Sequence, residues 1–404
     1  MEHEIRLLPG IRPAELVEEF ERIGVTPEGI EIMKEKGDFI LVKVEHLSAQ
    51  SAGILKQEML AKGGEAALGK NLAYLGSEKG AALLMGTKAQ YRRLLTVLPR
   101  QPFGLAKLAK ELAEIITAAA ATPPPLTLKG REFHWGRRTY IMGIINITPD
   151  SFSGDGLLNQ RQLLDSLLAQ AEKFMEDGAD ILDVGAESTR PGAEEVLVEE
   201  EISRLAPILE VLVKRSPLPI SVDTYKAAVA RVALESGADL INDIWGLQKD
   251  PEMAVVAAKY RAPVIIMHNQ KSCVYHDLML EIASFLRNSI RIAETAGVPK
   301  ERVIIDPGVG FGKTVEDNLL VIERLHELKA LGCPILLGTS RKSVIGKILN
   351  LPVTERIEGT AATVTAGIMR GADLIRVHDV KEMTRVAKMT DAILRHKPVE
   401  EERG

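Results

Sequence analysis

Eight short apolar runs limit what this chain can fold into. They lie near residues 140–145, 180–184, 218–222, 239–242, 263–267, 302–305, 334–337 and 373–377. Each is four to six residues long and rich in Ile, Val and Leu, with little of the polar alternation of a half-solvated strand. Such near-continuous apolar strands are buried on both faces, as in parallel sheets. Segments of helical spacing separate them, among them Leu163-Leu164-Leu167-Leu168, Ile202-Leu205-Ile208-Leu209-Leu212 and Leu319-Leu320-Ile322-Leu325-Leu328. Eight strand–helix units in roughly 260 residues predict an α/β fold, a (β/α)8 TIM barrel of typical length ~250. An open doubly wound sheet is the alternative.

The barrel does not use the whole chain. Pro123-Pro124-Pro125 stops the helical pattern Leu105, Leu108, Leu112, Ile115, Ile116, because proline lacks an amide donor and disfavours helix in the residue before it. The expected division is a small N-terminal α/β domain, 1–122, and a barrel domain, 123–404. In the first, Phe39–Val44 reads as a strand, Ala49–Leu60 as a helix, Ala81–Met85 as another strand and the segment around Tyr91 as a basic helix. The cluster Arg92, Arg93, Arg100 reads as a solvated face. Just past the prolines, Leu126–Leu128 and Phe133–Trp135 flank Lys129-Gly130 as a short hairpin.

Charge and cysteine content narrow the function. With 51 basic and 56 acidic residues the net charge is −5, which argues against nucleic acid as the main partner. The N-terminal residues lack the basic-then-apolar pattern of a secretory signal, and no run reaches the ~18–20 apolar residues of a membrane span. The two cysteines, Cys273 and Cys333, are too few for a disulfide scaffold and suit the reducing cytoplasm.

In a barrel of this kind active sites form at the C-terminal ends of the strands. The polar residues at or just after the ends of the eight runs are Asn146; Asp183 with Glu187; Asp223; Asn242 with Asp243; His268; Asp306; Ser340-Arg341-Lys342; and Arg376 with His378. Amides and carboxylates precede; cations cluster at the last two strands, where this fold customarily binds phosphate. That distribution implies a two-ended ligand, with a hydrogen-bonding ring edge matched by Asp and Asn and an anionic end matched by cations including Lys342, Arg376 and His378. Asn146 offers an oxygen for Mg2+. Asp183 and Asp243 read as braces of strand ends and His268 as structural. Arg341 is expected to pair with a rim carboxylate. Gly308–Thr314 imitates a phosphate-binding P-loop but misses its spacing by one residue, which leaves Lys313 as a helix-start or solvent residue. His268, Cys273 and His276 lack zinc spacing.

Several of these segments resemble the signatures of dihydropteroate synthases. They are Met142–Ser153, Asp183–Gly192, Ser221–Thr224, Ile241–Asp243, Met267-His268, Asp306–Lys313, Ser340–Ser343 and Arg376–Asp379, in family order over residues 126–396. The resemblance implies a transferase of folate biosynthesis that joins 6-hydroxymethyl-7,8-dihydropterin diphosphate to p-aminobenzoate, is inhibited by sulfonamides and works with Mg2+ as a homodimer. It assigns Asp223, Asn242, Met267, Asp306, Phe311 and Lys342 to the pterin, which moves Lys342 from the anionic end to the ring. Asn146, Arg376 and His378 go to diphosphate, with Asn146 also on the metal. Thr189, Arg190, Pro191 and Ser343, with the loop residues Asp150 and Phe152, go to p-aminobenzoate and closure. Asp223, Asp306, Lys342, Arg376 and Asn146 are the expected catalytic set. Two alternatives share the pterin contacts: a methyltransferase acting on a corrinoid protein, and a non-catalytic pterin binder. Residues 1–122 fall outside the typical synthase, and Ser153-Gly154-Asp155-Gly156 departs from the usual first loop.

Overall fold

The computed structural model describes residues 3–74, 76, 78–147, 157–187 and 195–395, with backbone only at 157–161. The chain divides into two compact units, 1–117 and 118–404.

The first unit carries a three-stranded antiparallel sheet of β1 (Phe39–Leu47), β2 (Glu65–Leu68) and β3 (Gly80–Thr87), with β3 in the middle. Helices Ala49–Ala61, Lys88–Val97 and Leu105–Ala120 bury Leu55, Met59, Tyr91, Leu94 and Leu112 in one core with Leu84 of β3. Two of them start where the sequence supplies a cap. The Ser48 hydroxyl accepts from the Ser51 amide, and Thr87 forms a reciprocal capping box with Gln90. Arg92 lies 2.9 Å from Glu35, and Arg93 donates to the Lys62 carbonyl.

The second unit opens with the hairpin β4 (Leu126–Leu128) and β5 (Arg131–Phe133). Eight parallel strands follow: β6 (Tyr140–Asn146), β7 (Ile181–Gly185), β8 (Ile220–Asp223), β9 (Leu240–Asp243), β10 (Val264–Met267), β11 (Val303–Asp306), β12 (Leu336–Leu337) and β13 (Leu374–Val377). Their order is β11-β10-β9-β8-β7-β6-β13-β12, and a parallel bridge between Ile305 and Ile335 joins the two ends. The sheet therefore closes into a (β/α)8 barrel, and the open-sheet alternative is excluded.

The period-two alternation of strands explains why the runs are apolar throughout. Ile141, Leu182, Ile220, Ile241, Val264, Val303, Leu337 and Ile375 point outward into the core shared with the helices. Met142, Ile181, Leu240, Ile265, Ile304, Leu336 and Leu374 point inward and fill the barrel. Gly143 has an outward position, and a Cβ there would sit 2.6 Å from the Phe174 ring, so a helix packs close against β6. The N-terminal mouth is plugged by Phe133, Trp135 and Tyr140, whose ring centroids lie 4.8–6.0 Å apart. Tyr140 Oη accepts from the His134 amide at 2.7 Å, tying the hairpin to β6.

Candidate active site

The same alternation builds the site. Two residues beyond six of these seven inward apolar side chains, the next inward position is Asp183 after Ile181, Asn242 after Leu240, Met267 after Ile265, Asp306 after Ile304, Gly338 after Leu336 and Arg376 after Leu374. Cross-strand register aligns them: Asp183 pairs with Ser221, Asp223 with Asn242 and Met267 with Asp306. A polar layer thus lies on the apolar one at the C-terminal mouth.

Arg376 stands at the centre. Its Nε donates to Asp183 Oδ2 at 2.6 Å and its Nη2 to Asp223 Oδ2 at 2.7 Å. Asn242 Nδ2 donates to the same Asp183 oxygen at 3.3 Å. The opposite oxygens, Asp183 Oδ1 and Asp223 Oδ1, are buried and have no hydrogen-bond partner among the described residues, as is the case for Ser221 Oγ. Buried acceptors without donors are costly, so this edge is built to receive N–H groups. Burial pushes the Asp223 carboxyl up to about 7, with Arg376 pulling it down and Asp183 adding to the rise. Burial likewise raises Asp306, against the pull of Lys342 and of the Gly308 amide, which donates to Asp306 Oδ1 at 2.7 Å. Asp183 was expected only to brace a strand. In the structure it is fully buried and ties Arg376 to Asn242.

Lys342 enters from a strained turn. Arg341 has φ +56, unusual for a residue with a side chain. Three neighbours hold it there: its guanidinium pairs with Asp379, its amide donates to Thr360 Oγ1, and its carbonyl accepts from Arg356. Arg341 thus finds the rim carboxylate expected of it. Lys342 Nζ donates to the Val309 carbonyl and lies 4.6 Å from the Phe311 ring centroid. Its stem passes Gly310, φ +87, where a Cβ would approach Lys342 Cδ to 2.9 Å. Burial brings the Lys342 ammonium down to about 8, with Asp306 opposing. Met267 and Phe311 join Tyr225, Ile244 and Trp245 in a small apolar cluster beside the polar layer. His378 shares a 3.0 Å hydrogen bond with Ser340 Oγ, linking the ends of β12 and β13. Asn146 is exposed at the end of β6, and Ser343 is exposed at the start of helix Ser343–Leu349.

Not every expected residue is in view. Asp150, Phe152, Thr189, Arg190 and Pro191 lie outside the described residues. Lys313 is a correction: it is 8% exposed rather than solvated, because the loop after β11 folds its ammonium inward onto His268 Nδ1 and two backbone carbonyls. Another feature escaped sequence reasoning: Lys226 bonds Glu187, Glu201 and the Val196 carbonyl. Tyr225 bonds both Glu187 and Glu195, so the two residues after Thr224 hold both flanks of segment 188–194.

An acceptor-rich layer with a central guanidinium, at the C-terminal mouth of a closed barrel, defines a site for a nitrogen-rich ring bearing an anionic group. Residues 142–378 match the model of the pterin binding enzyme family, and the chain belongs to that family. A dihydropteroate synthase of Clostridium beijerinckii is 55% identical over 271 residues, 67% of this chain and 100% of the relative. The solved structure of the Clostridium difficile dihydropteroate synthase, determined with pteroic acid, superposes with a TM-score of 0.63. It is 52% identical and covers 65% of this chain and 99% of its own. A probable bifunctional folylpolyglutamate synthase/dihydropteroate synthase of Halobacterium salinarum is 40% identical over 383 residues, 92% of this chain and 45% of the relative. That match is too long to stop at the barrel, so it takes in much of the N-terminal unit as well.

Proposed function

We infer that this chain condenses 6-hydroxymethyl-7,8-dihydropterin diphosphate with p-aminobenzoate, giving 7,8-dihydropteroate and diphosphate in folate biosynthesis. The observation that carries the reading is the pair of buried oxygens on Asp183 and Asp223 that have no partner among the described residues, beside Asn242 and Asp306. A pterin presents ring and amino N–H groups that such acceptors need. Identity to dihydropteroate synthases along the whole barrel favours this reaction over methyl transfer to a corrinoid protein or binding without catalysis.

In this reading Asp223, Asn242 and Asp306 hold the ring edge, Lys342 its carbonyl and neighbouring nitrogen, and Met267 and Phe311 its faces. Arg376, His378 and Asn146 take the diphosphate. The C–O bond to diphosphate breaks first, and the leaving group departs with the electron pair. Positive charge spreads from the methylene carbon into the ring, where Asp223 and Asp306 offset it, while Arg376 and His378 meet the charge growing on the leaving group. The arylamine lone pair then forms the C–N bond, and the amine's proton passes to the released diphosphate. Thr189, Arg190, Pro191 and Ser343 line the p-aminobenzoate side, and Asp150 and Phe152 exclude water from the cation.

Among the described residues no group of three or more His, Cys, Asp or Glu is placed to hold a metal. The one oxygen of the Asn146 side chain, exposed at the end of β6, is a ligand type suited to a Mg2+ that would keep most of its waters and take its other ligands from diphosphate. Bound there, the ion would supply charge neutralisation for the leaving group. A homodimer and a cytoplasmic setting belong to the same reading; among the described residues no helix is long and apolar enough to cross a membrane, and both cysteines are free.

The test is product analysis with the purified full chain and both substrates. Dihydropteroate and diphosphate should appear one for one, and a sulfonamide should suppress both. Diphosphate released without dihydropteroate would overturn the assignment.

A further inference from the structure

We propose that Lys313 is a positioning residue for the pterin: its buried ammonium, seated on His268, fixes the loop that sets Phe311 and Lys342 against the ring. The proposal rests on the reading of this mouth as a pterin site.

The loop runs from Asp306 to the helix starting at Val315. Lys313 Nζ lies 2.9 Å from His268 Nδ1, 3.0 Å from the Gly308 carbonyl and 3.1 Å from the Phe311 carbonyl. In the tautomer of His268 that carries its proton on Nε2, three acceptors match the three N–H bonds of an ammonium. The imidazole is 2% exposed, so it cannot turn to water. It packs edge-on against Phe285 at 5.0 Å, and its amide donates to the Asp306 carbonyl at 2.9 Å. Further bonds fix the rest of the loop. Tyr275 Oη donates to the Gly312 carbonyl at 2.7 Å, and the Gly310 amide donates to Asn318 Oδ1 at 2.6 Å. Glycine lets this loop lie directly on the chain after β10. A Cβ on Gly308 would sit 1.9 Å from the His268 carbonyl oxygen, and one on Gly312 would sit 2.2 Å from that of Gln270.

The far side of this loop carries the ligand-facing groups. Phe311, whose carbonyl Lys313 holds, presents its ring to Lys342, and the Val309 carbonyl receives Lys342 Nζ. Stability alone is a poor reason to bury a cation whose hydrogen-bond partners are all uncharged, because desolvating it is expensive. Burial is strong enough to bring Lys313 down to about 7, although Asp306 opposes it. A loop held from beneath at two carbonyls cannot drift, and a displacement of about 1 Å at a binding group is enough to cost substantial activity.

The test uses the full chain, with 6-hydroxymethylpterin as the titrated binding probe and 6-hydroxymethyl-7,8-dihydropterin diphosphate with p-aminobenzoate for turnover. Lys313→Met keeps the stem and removes the charge. It should weaken pterin binding about tenfold or more, the scale of one lost charged hydrogen bond, and leave the KM for p-aminobenzoate within about twofold, well short of that loss. His268→Gln, which retains an acceptor, should bind pterin nearly as the wild type does, and His268→Leu should resemble Lys313→Met. Wild-type pterin affinity in folded Lys313→Met, or equal losses for both substrates, would overturn the proposal. Should Lys313→Met fail to fold, the two His268 variants decide: equal pterin affinity in both overturns it. A wild-type chain that neither binds the probe nor makes dihydropteroate would instead refute the pterin assignment itself.

Discussion

At the residue scale the site is a balance of charges: buried Asp183, Asp223 and Asp306 against half-buried Arg376 and Lys342. Each is affordable only because the others are present, and the balance sets a pH dependence. Asp223, raised to about 7, is the stronger acceptor of ring N–H groups and offsets cationic charge when ionised, so kcat/KM should climb as pH rises through about 7. Lys313, lowered to about 7, and Lys342, lowered to about 8, lose their protons on the alkaline side, so the climb should end in a narrow maximum and kcat/KM should fall again. Lys342→Arg keeps the cation at all accessible pH and should move the alkaline limb upward. A limb at the same pH in that variant would assign it to another group. Asp223, Asn242 and Asp306 were legible in the sequence because each stands at or just after the end of an apolar run, and Arg376 because cations cluster at the last two strands. Asp183 was underrated because it lies inside its run, followed by Val184 and Gly185, where a carboxylate looks like a brace. The burial of Lys313 was illegible, since its three acceptors come from His268 and from a loop whose path depends on glycine conformations.

At the element scale one alternation does two tasks. Outward residues bind the strands to the helices, while inward residues form first a packed layer and then a polar one. All eight strands were readable as runs, although β12 shortens to Leu336–Leu337 because Pro334 denies the ladder a donor. The N-terminal strand β2 was not readable. Glu-Ala-Ala-Leu is a helix-favouring sequence, and pairing with β3 overrides its propensity. The plug under the barrel gives a separable prediction. Trp135 is 2% exposed, so Trp135→Ala should cost about 3–5 kcal/mol in denaturant unfolding of the barrel. Folded protein should retain its pterin affinity, because the plug and the polar layer lie at opposite ends of the strands. A loss of affinity without a loss of stability would contradict that separation.

For the whole molecule, the first unit has its own apolar core, and the residues placed at the pterin all come from the second. Leu84 is fully buried in that first core, so Leu84→Ala should destabilise the N-terminal unit by about 2–5 kcal/mol and leave pterin affinity unchanged. Spectroscopic melting alongside pterin titration checks both halves of the expectation. The sequence marked a boundary near the three prolines but offered no chemistry for the residues before it. The halobacterial relative, which matches 92% of the chain, shows that this unit accompanies the barrel in another protein.

The central claim is that one polar layer, on top of one packed layer, grips a pterin through its acidic residues. Calorimetric titration of the full chain with 6-hydroxymethylpterin, wild type against Asp306→Asn, tests it most directly. Removing this charged acceptor should weaken binding about tenfold to a hundredfold or more, with the fold intact by circular dichroism. Equal affinity in the two proteins would show that the ring is held elsewhere.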